Sequence, residues 1–290
     1  MEIKNCPVCN NSHFSNHIES KDFSVSKESF MIVRCDECNF HFTNPRPSDE
    51  NLGKYYISDH YISHNNTSRT FFEKVYQLVR KFATNRKFSL ISSFFSSGRI
   101  LDVGCGTGDF LNKCKSKNWE TKGTEPSKIA RDQAINNHDL DVEESTDLSQ
   151  LEGEFDIITM WHVLEHVPNL NETLVQFNQL LSENGKIIIA VPNLESYDAK
   201  YYKKYWAAYD LPIHLYHFVP NDIRKLFGQF NMEVKEVLPM KFDSYYVSML
   251  SEKYKGGNII SAFLTGLKSN LKANSETYSS QIYILKKNAK

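Results

Sequence analysis

From Gly98 onward, apolar runs and amphipathic runs alternate along the chain. Arg99 to Val103, Glu120 to Thr124, Phe155 to Met160 and Lys186 to Val191 have the length and composition of strands. Asp109 to Lys117, Lys128 to Asn136 and Leu170 to Leu181 carry apolar residues at helical spacing between them. A weak third strand is expected near Leu140 to Val142. This alternation predicts an α/β fold, a parallel sheet with helices on both faces. After Pro192 the pattern loosens into an aromatic segment that reaches Phe218. A helix over 221–229, a strand over 232–238, a glycine-containing helical stretch over 250–272 and a last strand from Gln281 to Leu285 follow. Upstream, Phe72, Val75, Leu78, Val79 and Phe82 predict a helix over 71–95.

The first forty-five residues read differently. They are polar, with short strand-like runs such as Phe30 to Arg34, and they hold Cys6, Cys9, Cys35 and Cys38. Each C-x-x-C turn can aim two sulfurs at one ion, and four sulfurs close a tetrahedral zinc site. A closed site leaves no position for water, so its expected role is structural. A unit this small lacks the core to fold without such help. His13, His17 and His41 read as loop or surface residues. The expected organisation is a zinc-binding unit over 1–45, a linker over 46–70 and an α/β domain over 71–290, with an aromatic cap over about 193–220.

Composition changes this picture little. Forty per cent of the residues are hydrophobic and 24% charged, as in ordinary globular proteins, and the formal net charge is −1. That charge disfavours a globally basic nucleic-acid binder. No apolar run approaches the ~20 residues of a membrane span, and the first residues lack a signal-peptide pattern. The expected location is the cytoplasm, where cysteines stay reduced or metal-bound.

The densest motif is Asp102-Val103-Gly104-Cys105-Gly106-Thr107-Gly108-Asp109. An apolar strand runs into a glycine turn and then a helix, the place where doubly wound sheets bind nucleotide-like ligands. The spacing is G-x-G-x-G. A dinucleotide fingerprint needs glycine where Asp109 stands, and an acid there repels a pyrophosphate. S-adenosylmethionine carries no phosphate but does carry an ammonium, which Asp102 suits. Glu125 follows the second strand, placed to accept both hydroxyls of a ribose.

With Glu125 and the later Trp161-His162-Val163-Leu164-Glu165-His166-Val167-Pro168, this motif resembles the class I S-adenosylmethionine-dependent methyltransferases. The resemblance covers roughly 70–290. It implies a Rossmann-like seven-stranded sheet whose final pair is 232–238 and 281–285. It implies that Gly104, Cys105, Gly106 and Gly108 hold the methionine end of the cofactor and Glu125 the ribose. Asp147 or Leu148 would flank the adenine, with Met160 and Trp161 nearby. The N-terminal unit resembles the zinc ribbons fused to some bacterial methyltransferases, sugar C-methyltransferases among them.

On the acceptor side, His162 and His166 stand four apart and would share one face of a helix. H-x-x-E-H is also formally a zinc-peptidase motif, but Val167-Pro168 argues against the long helix that site needs. His162, His166 and His214 are the candidate bases, in no fixed order. The segment from Tyr201 to Phe218 is expected to wall or close the crevice. The reading is therefore an enzyme moving a methyl group from S-adenosylmethionine to an oxygen, carbon or nitrogen of a small-molecule, sugar or lipid-linked acceptor. Two rival readings are an RNA methyltransferase gripping nucleic acid through the ribbon, and a non-catalytic cofactor-binding module.

Overall fold

The computed structural model describes residues 1–56, 71–144 and 147–288, residues 71–79 by backbone alone. The tyrosine-rich connector beyond Tyr56, and the side chains of Phe72, Val75, Leu78 and Val79, lie outside the described residues.

Strands β1 (Phe14–Lys21), β2 (Ser29–Cys35) and β3 (His41–Thr43) form an antiparallel meander, followed by a single turn, α1 (Asp49–Leu52). After α2 (Phe71–Ser92) come β4 (Arg99–Val103), α3 (Asp109–Lys115), β5 (Glu120–Thr124), α4 (Lys128–His138) and the two-residue β6 (Val142–Glu143). β7 (Phe155–Trp161), α5 (Leu170–Leu180) and β8 (Leu181–Pro192) continue the alternation. Next are a short helix α6 (Tyr197–Tyr202), a two-residue strand β9 (Tyr216–His217), α7 (Pro220–Gly228) and β10 (Met232–Pro239). The chain closes with α8 (Asp243–Lys255), α9 (Ile259–Lys272) and β11 (Ser280–Lys287).

Seven strands make the main sheet in the order β10-β11-β8-β7-β4-β5-β6. β4 to β8 run parallel, and β11 lies antiparallel between β8 and β10. Ile187, Ile188, Ile189, Ala190 and Val191 in β8 are fully buried, as a strand covered on both faces requires. One face packs on α2, α3 and α4 through Ile91, Phe110, Leu111 and Ala134. The other packs on α5 and α7 through Leu174, Phe177, Ile223 and Phe227.

The four-cysteine unit shares that second core. Val33, Phe40 and Phe42 belong to the same cluster as Phe177, Phe218 and Phe227. Its sheet also takes in β9, so the order is β1-β2-β3-β9. His41 sits in β3 and is half-buried rather than in a surface loop. The helical stretch expected over 250–272 is two helices, because Gly256 ends α8 with a left-handed φ of 79°.

Candidate active site

Register places the chemistry at one edge. Val103 lies beside Thr124 on one side and Met160 on the other, so the turns after β4, β5 and β7 leave the sheet together. That edge is the C-terminal end of the parallel strands, where ligands bind in open α/β sheets.

The turn after β4 is left-handed at Gly104, Gly106 and Gly108, with φ of 70°, 57° and 81°. A Cβ on Gly104 would come within 2.5 Å of Val163, so this glycine serves the close approach of the β7 turn. A Cβ on Gly106 would meet nothing within 4 Å. Its open side is where a ligand can lie against bare backbone. Glu125 is buried and accepts from Gly106 N at 2.9 Å and from Ser127 N at 2.8 Å. Each of its oxygens keeps a lone pair for a further donor. Burial pushes its carboxyl above the usual range, and the two backbone donors hold it back. Asp102 is buried and accepts from Thr159 Oγ1 at 2.5 Å. Burial raises its carboxyl to about 7 against the pull of Thr159 and Lys87. Cys105 places its sulfur beneath the turn, 3.8 Å from Gly106 O.

The remaining cofactor candidates differ in setting. Met160 is fully buried, and Trp161 packs edge-on against Phe110 at 5.7 Å. Trp161 Nε1 is buried without a hydrogen-bond partner. Leu148 is buried, while Asp147 is exposed and accepts from Ser149 N at 2.9 Å.

α2 adds two groups for which its helical periodicity gave no sign. Lys87 sets its ammonium 4.5 Å over the Trp161 ring. Burial lowers its pKa, while Asp102 and Asp243 favour its charge. Arg80 bonds Thr107 Oγ1 and Asp109 at the rim of the glycine turn.

The turn after β7 corrects the expectation of one helical face for His162 and His166. His162 has a left-handed φ of 59°, and only Leu164–His166 form a single 3-10 turn. The two rings therefore go to different partners. His162 Nε2 lies 3.0 Å from Asp243 Oδ2, and Nδ1 lies 3.4 Å from Glu165 Oε1. Burial opposes its charge, but the two carboxylates outweigh that and raise it to about 10. His162 is thus an imidazolium at neutral pH. His166 places Nδ1 3.0 Å from Ile213 O and 3.1 Å from the Tyr56 hydroxyl. His214 Nδ1 lies 2.9 Å from Ala208 O, which assigns the proton to Nδ1 and leaves Nε2 as the basic nitrogen. Burial keeps both rings neutral.

These two rings meet edge to face at 4.6 Å. Glu165 completes the group, with ligand atoms of all three residues within 4.8 Å of one another. Glu165 is fully buried, and neither carboxylate oxygen has a hydrogen-bond partner. The nearby His162 charge offsets part of the cost of burying this carboxylate, and its lone pairs remain open to a donor. One carboxylate and two neutral imidazoles can take a hydroxyl or a cation. In the sequence Glu165 is one position of the Trp161 to Pro168 motif, and nothing there links it to the distant Asp243. The fold joins them through His162.

The aromatic segment stands directly behind this group. Trp206, Tyr209, Leu211 and Tyr216 are buried. The Tyr216 hydroxyl donates to Pro168 O at 3.0 Å and accepts from Arg46 at 3.3 Å, so it braces the wall. Lys200, Lys203 and Lys204 are exposed, as a solvated face requires.

At the far side of the wall, Cys6 and Cys38 sulfurs lie 3.6 Å apart and Cys9 and Cys35 sulfurs 3.5 Å. All four sulfurs lie within 4.8 Å of one another. Four sulfurs at ~2.3 Å from one zinc ion sit ~3.8 Å apart, so the group fits that ion.

A family model described as a methyltransferase domain matches residues 71–237. The chain is 28% identical over 177 residues to a ubiquinone biosynthesis O-methyltransferase of Aromatoleum aromaticum, covering 55% of this chain and 72% of that enzyme. A ubiquinone biosynthesis O-methyltransferase of Dechloromonas aromatica is 28% identical over 105 residues. That stretch is 33% of this chain and 44% of the relative, less than half its length. Among solved structures, magnesium protoporphyrin IX methyltransferase of Synechocystis PCC 6803 with bound SAM aligns at a TM-score of 0.51. It covers 85% of this chain and 100% of that one at 14% identity, a likeness of fold.

Proposed function

The chain belongs to the methyltransferase-domain family, and from that premise we propose that it moves a methyl group from S-adenosylmethionine to a hydroxyl oxygen of a small-molecule acceptor. The sulfonium of the cofactor supplies the electrophilic methyl. Gly104, Gly106 and Gly108 cradle the methionine end, Asp102 faces its ammonium, and Glu125 takes the ribose hydroxyls. The open space over Gly106 and the spare lone pairs of Glu125 support this assignment. Arg80 and Lys87 cover the carboxylate end, while Leu148 and Met160 line the adenine side with Asp147 at its rim. Trp161 closes the base of the crevice.

The observation that carries the acceptor reading is the buried Glu165, 3.4 Å from His162 but without a hydrogen-bond donor on either oxygen, beside two neutral imidazoles. An acceptor hydroxyl donates to that carboxylate or to the free nitrogen of His214, which removes its proton as the oxygen attacks. His166 holds the opposite side of the acceptor. His162, already protonated, orients Glu165 and ties it to α8 through Asp243. The two relatives are named O-methyltransferases, which agrees with an oxygen nucleophile. Donor and acceptor held in line is the rest of the catalysis.

Cys6, Cys9, Cys35 and Cys38 hold a structural zinc in a ribbon over 1–45, followed by a linker over 46–70 and the catalytic domain over 71–290. Among the described residues no helix is long and apolar enough to cross a membrane.

The test uses cofactor labelled in its methyl group, offered with a panel of phenolic and sugar hydroxyl acceptors, with products read by mass spectrometry. An O-methyl product is expected. His214→Ala should lower turnover by ~10²-fold or more, the scale of a lost general base, with cofactor affinity nearly unchanged. Methyl transfer that is indifferent to His214→Ala, or equal loss of turnover and cofactor affinity, would remove the assignment.

A further inference from the structure

α9 is amphipathic in the inverted sense. The face it packs inward is small and polar: Ala262, Thr265, Gly266 and Ser269 are buried. The reason is local. Ser269 Oγ donates to the buried Asp198 at 2.6 Å, which also accepts from Trp206 Nε1 and Ser279 Oγ. Gly266 lies against the Ser244 and Tyr245 backbone of α8, and Ser244 Oγ donates to Gly266 O at 3.1 Å. The large apolar residues are turned outward instead. Ile259, Ile260 and Leu271 are 65%, 70% and 74% exposed, and Phe263 and Leu264 are exposed beside them. At 100° per residue these positions form one continuous stripe. Met249 and Tyr246 extend it across α8, joined through the Tyr245–Phe263 ring contact at 5.3 Å. Isolated exposed apolar residues are ordinary, whereas a contiguous stripe of this kind marks an interaction surface.

Charge identifies the partner. From 241 to 272 the chain has five lysines, Lys241, Lys253, Lys255, Lys268 and Lys272, all exposed. Its two acids there are spent inside: Asp243 pairs with His162, and Glu252 is buried, accepting from the Tyr202 hydroxyl at 3.2 Å. α9 itself contains no acid, and Lys268 and Lys272 follow the edge of its apolar stripe. A second copy meeting this face across a two-fold axis would set lysines against lysines. A negatively charged lipid surface satisfies both features, the stripe entering the acyl boundary and the lysines meeting the headgroups.

We propose that the α8–α9 face docks on anionic phospholipid surfaces with α9 lying in the plane of the interface. The inference rests on this face alone and stands apart from the methyl-transfer reading. Docking brings one end of α8, where Asp243 holds His162, to the lipid boundary.

The test is co-sedimentation of the full chain with vesicles of phosphatidylglycerol and phosphatidylcholine, against vesicles of phosphatidylcholine alone, with sedimentation velocity of the lipid-free protein. Binding to the anionic vesicles only, weakened by salt, is expected. Ile260→Asp with Leu264→Asp, and separately Lys268→Glu with Lys272→Glu, should each weaken it by ~tenfold or more, the scale of losing a few buried methylenes or two surface charges. Circular dichroism and thermal melting check that both variants fold, and the lysine pair is the arm that leaves the apolar stripe intact. Equal partition to both vesicle types, no partition, or a dimer that the aspartate pair dissolves would each overturn the proposal.

Discussion

The residue that most distinguishes the site from its sequence motif is His162. A left-handed backbone lets one imidazole reach Asp243 and Glu165 at once, from different elements. Its pKa is raised from 6.5 to about 10 in the folded chain. A raised value means that the folded state holds the proton more tightly. The stabilisation is full below about pH 6.5 and disappears as the pH climbs through about 10. The difference in melting temperature between the natural chain and His162→Gln should therefore be largest near pH 6 and shrink towards pH 10. A difference that grows with pH would contradict the paired imidazolium. No spacing rule in the sequence announced this, because Asp243 is eighty-one residues away and the left-handed turn has no glycine to mark it. The glycine turn was legible for the opposite reason. Its residues are contiguous, and the conformation each needs is written in the residue type.

At the scale of elements, long apolar or periodic runs were readable and short or tertiary ones were not. β4 appears where its composition placed it, since a buried parallel strand is a continuous apolar run, and β5, Glu-Thr-Lys-Gly-Thr, appears where the alternation of strands and helices placed it. β8 begins at Leu181, six residues ahead of the apolar run that starts at Ile187, because pairing with β7 extends it. β9 has two residues and exists only through its pairing with β3. That pairing gives the ribbon a consequence for the wall. Thr43 Oγ1 donates to His214 O at 2.9 Å, and Thr43 N donates to Leu215 O at 3.0 Å. Leu215 N in turn donates to Glu165 O at 2.8 Å. β3 thus braces the chain that carries His214, and the proposed zinc on the four cysteines would brace β3 in turn. About one zinc per chain should be found by elemental analysis of protein purified without added metal. The Cys6→Ser, Cys35→Ser double change should lose it and speed amide hydrogen exchange across 214–217, while amides of β4 and β5 keep their protection. Zinc retained at full occupancy in that variant, or unchanged exchange at 214–217, would detach the ribbon from this role.

On the scale of the whole molecule, the sheet brings three strand ends together at one edge, and β3 of the four-cysteine unit pairs with the segment that carries His214 and His217. The order β10-β11-β8-β7-β4-β5-β6 comes from the fold, while the seven strands and their final pair over 232–238 and 281–285 were implied by the resemblance. The proposed roles of His162, Glu165, His166 and His214 were not, since they depend on how the turn after β7, the segment carrying His214 and α8 meet. Cofactor binding underlies the proposed methyl transfer, and calorimetric titration tests it most directly. The natural chain should bind S-adenosylmethionine and its demethylated product but not NAD. Glu125→Ala should weaken that binding by ~1–3 kcal/mol, the range for leaving hydrogen-bonded partners unmade, and Gly106→Ala should weaken it without lowering thermal stability to the extent that Gly104→Ala does. Binding of NAD with no heat from S-adenosylmethionine, or unaltered affinity in both Glu125→Ala and Gly106→Ala, would contradict the account.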